Sequence, residues 1–239
     1  MISTQLSDWL LDSDPALRWQ VERDLLGAEE TSWQATRAKV AHEGFGADLL
    51  SHQDPDGQWA GGAFFPSDFT FDDDRAQPWT ATTWALKDLR EWGLAASALE
   101  GTAERLRAAR WEYEDLPYWD GEVDVCINSW TLSNGLWLDA DVDGLVDWFL
   151  DHQLPDGGWN CEWVEGSEVS SYHSTLNALI ALLDYQKHTG DGPRVQRARA
   201  GGEEYLLSRN LFRRAGEPSK WVTLQAQRVL DWWDGTQPA

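Results

Sequence analysis

Several things are scarce in this chain, and each scarcity excludes something. Two cysteines, Cys126 and Cys161, are too few to staple 239 residues, so a disulfide framework is excluded and the fold must rest on a hydrophobic core. Both thiols are then free for packing, metal binding or chemistry. Basic side chains number 19 against 41 acidic ones, a net charge of −22. That balance argues against nucleic acid and anionic membrane as partners. No apolar run reaches the length of a membrane span, and residues 3–14 mix acids with apolar residues. The expectation is a cytoplasmic protein with no membrane insertion and no signal peptide. No Ser/Pro/Gly-rich linker divides the chain, which predicts a single domain over 1–239. Runs of alternating β-branched residues are also missing, whereas helical periodicity recurs throughout, so the expected class is all-α.

What the chain does have is tryptophan, 17 residues against 5 tyrosines and 7 phenylalanines. Packing between helices accounts for most of them, and some are available to line a concave apolar surface. Two of them close a repeated turn. Gln53-Asp54-Pro55-Asp56-Gly57-Gln58-Trp59 and Gln153-Leu154-Pro155-Asp156-Gly157-Gly158-Trp159 share five positions at a separation of 100 residues. Pro-Asp-Gly is turn chemistry: proline presets φ, aspartate bonds its own backbone and glycine accepts positive φ. The glutamine, at a helix C-terminus, is placed to bond the last unpaired carbonyls, and the tryptophan folds back as an apolar wedge.

Periodicity predicts helices over 5–13, 15–27, 31–53, 78–92, 95–111, 124–138, 142–153, 171–187, 193–211 and 218–233. Helices ending at Gln53, Arg110, Gln153 and Asn210 are each followed by a loop and a second helix. The unit is a helical hairpin of about fifty residues, of the kind that stacks into solenoids or closed rings.

The Gln-x-x-x-Gly-x-Trp turn resembles the QW repeat of squalene and oxidosqualene cyclases and of protein prenyltransferase β-subunits, over roughly residues 45–235. Among these the chain looks most like the small bacterial proteins labelled squalene cyclase-like or prenyltransferase-like. The resemblance implies an α/α toroid, here a small or incomplete ring. It also implies an enzyme acting on an isoprenoid or other apolar substrate in a central cavity. In such a ring the second helices form the inner layer. Their starts place Thr80, Cys126, His173 and Trp221 at equivalent positions, with Asp124 two residues before Cys126.

Prenyltransferase β-subunits hold catalytic zinc with Asp-x-Cys at the start of one inner helix and a histidine at the start of the next. The matching residues are Asp124, Cys126 and His173, a carboxylate, a thiolate and an imidazole that suit zinc and leave a fourth position open. Cys161 is a further thiol that could close the site as a structural one. Against the metal stands packing: Cys126 as a small buried hydrophobe and His173 as a satisfied cavity residue. In the zinc reading Tyr172 donates a hydrogen bond to the leaving group. In a metal-free, cyclase-like or lipid-binding reading, Asp124 is the proton donor, its pKa raised by burial. Trp79, Thr80, Trp84, Asn128, Trp130, Asn177 and Trp221 are the candidate substrate-binding residues, with Trp84, Trp130 and Asn177 one helical turn below the first ring. The aromatic members could steady a cation.

Two departures weigh on the reaction. Where prenyltransferases carry an Arg and a Lys to hold a diphosphate, this chain has Tyr118 and Gly121. The cyclases' Asp-x-Asp-Asp motif is also missing, since Asp72-Asp73-Asp74 lacks that spacing. A non-catalytic helical scaffold, whose open edge a second copy of the chain could cover, is the remaining alternative.

Overall fold

The computed structural model describes residues 4–70, 76–190 and 192–208. Among them all regular structure is helical, as expected, and only isolated bridges such as Gln53 to Trp59 pair extended backbone. The predicted helix 218–233 and the candidate Trp221 lie outside the described residues, as does Asp72-Asp73-Asp74. No helix among the described residues is long and apolar enough to cross a membrane. The chain gathers into two compact units, one built from the described parts of Met1–His52 with Asp88–Ala98, the other from Gln53–Lys87 with the described parts of Leu99–Arg213.

In the first unit α2 (Pro15–Asp24) packs against α1 (Thr4–Leu11), α3 (Glu30–Ala38) and α4 (Gly44–Ser51). Leu10, Leu17 and Val21 form a sealed cluster there. Asp14 caps α2 by accepting from Ala16 N–H at 2.9 Å, with Pro15 preset in the first turn. Its other oxygen accepts from Phe45 N–H at 2.8 Å. The same carboxylate explains why the single helix expected over 31–53 breaks. Gly44 has φ +63°, and a Cβ there would fall 1.8 Å from Asp14 Oδ2, so α4 starts afresh against the cap of α2. Trp19 is held from two sides, its indole N–H donating to Trp92 O at 2.7 Å while Arg23 and Arg37 lie over its rings.

In the second unit α7 (Val125–Trp137) packs along α9 (Tyr172–Thr189), α9 against α10 (Pro193–Ser208), and α8 (Asp143–Asp151) against α7 and α10. α5 (Thr82–Glu91) opens in this unit. The helix expected over 95–111 is instead short pieces, 3-10 turns at Ala96–Leu99 and Leu106–Ala108 flanking α6 (Thr102–Arg105). Gly101, at φ +77°, resets the backbone between them. α5 also begins four residues later than expected, because Trp79 takes a positive φ of 57° and holds the chain out of helix there.

The repeated turn is the clearest confirmation of the sequence pattern. Trp59 and Trp159 are 1% and 0% exposed. Their backbone N–H groups donate to the hydroxyls of Thr82 and Thr175 at 3.1 and 3.0 Å. Each turn closes through a matched pair of backbone bonds, Gly57 N–H to Asp54 O and Gly157 N–H to Leu154 O, both 2.9 Å. The glutamines differ from expectation in what they bond. Rather than the last carbonyls of its own helix, Gln53 donates to Gly57 O at 3.1 Å and Thr102 Oγ1 at 3.0 Å. Gln153 donates to Gly157 O and Ala198 O, both at 2.7 Å. The amide therefore ties the turn to the following hairpin. In both turns the bonded carbonyl lies four residues further on.

Candidate functional site

Thr82 and Thr175 occupy the same place in their repeats, two residues after Thr80 and His173, and the corresponding residue of α7 is Asn128. Asn128 is fully buried and also holds the loop before its helix. Its Nδ2 donates to Glu122 O and its Oδ1 accepts from Glu122 N–H, both at 2.6 Å. It is thus a loop anchor, with both ends of its amide bonded to the Glu122 backbone. The effect is to fix residues 122–124 at the mouth of α7.

Asp124 is the N-cap of α7, a position where aspartate normally bonds the first turn. Asp14 and Ser171 cap α2 and α9 in that way, but Asp124 makes no side-chain cap hydrogen bond. Cys126 N–H donates instead to Cys161 Sγ at 3.4 Å. The carboxyl released from capping, together with that of Glu122, lines a cavity of about 570 Å³ whose other walls include Phe64, Phe65, Trp111, Tyr113, Ile127 and Val164. Burial raises the pKa of both carboxyls above the ordinary carboxylate value. For Glu122, Asp124 adds repulsion, and for Asp124 a hydrogen bond from Cys161 works in the opposite direction. Asp124 N–H also donates to Glu122 Oε2 at 2.7 Å. Glu112, on the same cavity, is spent on structure, since Oε1 accepts from the N–H groups of Ala63, Phe64 and Phe65 at 2.7, 3.1 and 3.3 Å. That cradle turns the Phe64 and Phe65 segment towards the cavity.

Three of the expected aromatic residues do converge. Trp84 lies 4.6 Å from both Trp79 and Trp130, and Phe64 joins them at 5.0 Å from Trp84 and 6.5 Å from Trp130. Phe64 therefore links the tryptophan cluster to the cavity wall. Trp79 itself is 55% exposed, and Thr80 is exposed beside it.

The structure brings Cys126 to Cys161 and Ser174 rather than to a three-ligand set. The two sulfurs are 3.3 Å apart, Ser174 Oγ donates to Cys161 Sγ at 3.3 Å, and Cys126 Sγ lies 3.8 Å from Ser174 Oγ. His173, one residue before Ser174, is exposed, with Tyr172 half-buried next to it. Among the described residues no three His, Cys, Asp or Glu side chains gather in a group fit to hold a metal ion. The donors expected for zinc, Asp124, Cys126 and His173, are therefore not gathered into one such group. Asn177, expected in the second tier, hydrogen-bonds the Cys126 thiol and contributes to lowering its pKa.

Tyr118 and Gly121, where the resemblance expects cations, are committed to packing. Tyr118 is fully buried, stacked on Trp111 at 4.8 Å and bonded through its hydroxyl to Thr83 Oγ1 at 3.0 Å. A Cβ at Gly121, whose φ is +86°, would meet Leu145 Cδ2 at 2.4 Å and Asn128 Oδ1 at 2.5 Å.

Periodicity does not single out Glu122, Phe64 or Phe65. The one available signal for Glu122 is its place two residues before Asp124, and for the phenylalanines their place just after the first repeated turn. Comparison with protein-family models, with curated proteins and with solved structures gives no match to this chain.

Proposed function

We propose that the second unit binds an isoprenoid-class or similarly apolar ligand in the aromatic cavity, and that the Glu122 and Asp124 carboxyl pair supplies a proton to it. The observation that carries this is the placement of two burial-raised carboxyls on one wall of a cavity otherwise faced by Phe64, Phe65 and Trp111. A water-poor wall keeps a carboxylic acid protonated at a pH where an exposed one has ionised. Like charges two residues apart oppose double ionisation, so the pair favours holding a proton. Proton transfer to a ligand carbon leaves a cation, and aromatic faces are the groups that steady one without capturing it. The chemistry is cyclase-like and requires no metal.

An α/α toroid belongs to the same proposal. It is supported by the matched bonding of the two repeated turns and by the side-by-side packing of α7 and α9, second helices of successive hairpins. A zinc-assisted prenyl transfer draws less support, because the expected ligands do not gather and the Gly121 position has no room for a cationic side chain.

The test is equilibrium binding of farnesol and squalene to the full chain, monitored by quenching of tryptophan fluorescence. Saturable binding that weakens about tenfold or more in Phe64→Ala supports the proposal, as expected for losing most of one buried aromatic contact. Absence of saturable binding by both ligands rejects it.

A further inference from the structure

The thiol pair at the start of α7 is unused by the proposed proton transfer, and its surroundings are those of a reactive dithiol. Cys126 is the second residue of a 13-residue helix, where the backbone N–H groups and helix dipole favour an anion. Cys161 begins the 3-10 turn Cys161–Glu165, and two bonds fix that turn, one to the mouth of α7 and one to the first turn of α9. Trp163 Nε1 donates to Val123 O at 2.8 Å, and Cys161 N–H donates to Ser174 Oγ at 3.1 Å. Both cysteines are half-buried residues, and the bond from Cys126 N–H to Cys161 Sγ at 3.4 Å helps hold the sulfurs in register. At 3.3 Å the sulfurs are already in contact, and only a short further approach separates them from a covalent bond of about 2.05 Å. The contact also holds one proton between two sulfurs. Hydrogen bonding with Cys161, and to a smaller extent with Asn177 and Ser174, favours the thiolate at Cys126, while the same contact pushes the Cys161 thiol up.

We propose that Cys126 and Cys161 form a redox-active dithiol that reduces low-molecular-weight disulfides and closes reversibly to an internal disulfide. In the first step Cys126 gives up its proton to solvent and the thiolate attacks a disulfide RS–SR. A Cys126–S–SR bond forms, and RS⁻ leaves and takes up a proton from solvent. In the second step Cys161 gives up its proton and its sulfur attacks Cys126 Sγ. The Cys126–S–SR bond breaks, the internal S–S bond forms, and the second RS⁻ leaves with the proton from Cys161. Two protein thiols are oxidised and one external disulfide is reduced to two thiols. The Ser174 hydroxyl, within reach of both sulfurs, positions them and is not itself consumed.

The experiment treats the reduced full-length chain with oxidised glutathione and measures intact mass and free thiols, with circular dichroism as a check on folding in each variant. The proposal expects wild type to lose both thiols together, ending two hydrogen atoms lighter with no retained glutathione. Cys161→Ser should stop at a single stable glutathione adduct on Cys126, formed at least several-fold faster than any adduct on Cys161 in Cys126→Ser. Dithiothreitol should restore both thiols in wild type. Wild type that accumulates glutathione adducts, forms disulfide-linked dimers, or leaves both thiols unreacted overturns the proposal. If a serine variant fails to fold, the wild-type mass and thiol count decide the matter alone.

Discussion

The two repeated turns of the second unit share their bonding and differ in the segments they launch, and that difference separates scaffold from chemistry. In both, a buried tryptophan is clasped by a threonine of the next helix and a glutamine spans from the turn to the following hairpin. After Trp59 the chain carries Phe64 and Phe65 into the aromatic wall, fixed by Glu112. After Trp159 it carries Cys161 and Trp163 to the mouth of α7. One framework is used twice, first to deliver apolar surface and then to deliver a thiol. The turns set where a segment starts, and the residues beyond them decide what it does.

Substitutions in and around the two turns test how far they differ. The largest effect belongs to the wedges: Trp59→Ala and Trp159→Ala should each cost about 3–5 kcal/mol in denaturant unfolding, because both indoles are sealed in the core. Next come the turn glycines, which should part company. A Cβ at Gly157, φ +95°, would meet Gly201 O, a backbone atom, at 2.6 Å, whereas at Gly57, φ +90°, the nearest atom is Arg105 Cβ at 3.1 Å. Gly157→Ala should therefore cost about 3 kcal/mol and Gly57→Ala about 1 kcal/mol, within the range for strained backbone. Equal costs would show that the second turn is not held more tightly against its neighbour.

The glutamines should keep the same order with smaller differences. Gln153→Ala strips two carbonyls of a partner, at about 1–3 kcal/mol. Gln53→Ala should fall at the lower end, since Thr102 Oγ1 keeps a bond from Arg105 at 2.9 Å.

The smallest effect is electrostatic. Asp124 has its pKa raised above the ordinary 3.8 by burial, so its favourable contribution is complete below that value and is lost as pH rises through the folded-state pKa. Asp124→Asn, which cannot ionise, should be more stable than wild type at neutral pH by roughly a few tenths of a kcal/mol, after solvent screening of a half-exposed group. The gap should close on acidification, and thermal unfolding across pH measures it. A gap that widens towards acid would reverse the sign assigned to Asp124.

How much of this was legible in the sequence depended on whether local chemistry or tertiary contact decided the outcome. The all-helical class and the two turns came from periodicity and Pro-Asp-Gly, which act locally. The register of second helices was legible too, since Thr82, Asn128 and Thr175 lie at matched offsets and all hold the preceding loop. The break at Gly44 was not, because it depends on Asp14, thirty residues away along the chain. The contact of Trp84 with Trp130 and the place of Asp124 at the start of α7 follow from helical offsets. The approach of Cys161 to Cys126 was open from the sequence, but the exposure of His173 was hidden. One step along α9 turns a side chain by about 100°, and that step puts Ser174 against the sulfurs and leaves His173 exposed.

The most direct measurement is a carbon-13 NMR titration of the side-chain carboxyls of the full chain, assigned with Asp124→Asn and Glu122→Gln and repeated with bound farnesol. Two carboxyls should titrate above the ordinary range, and both should move further up as the ligand displaces water from the cavity. Ordinary titration of both residues, unchanged by farnesol, would contradict the buried acid pair on which the proposed chemistry depends.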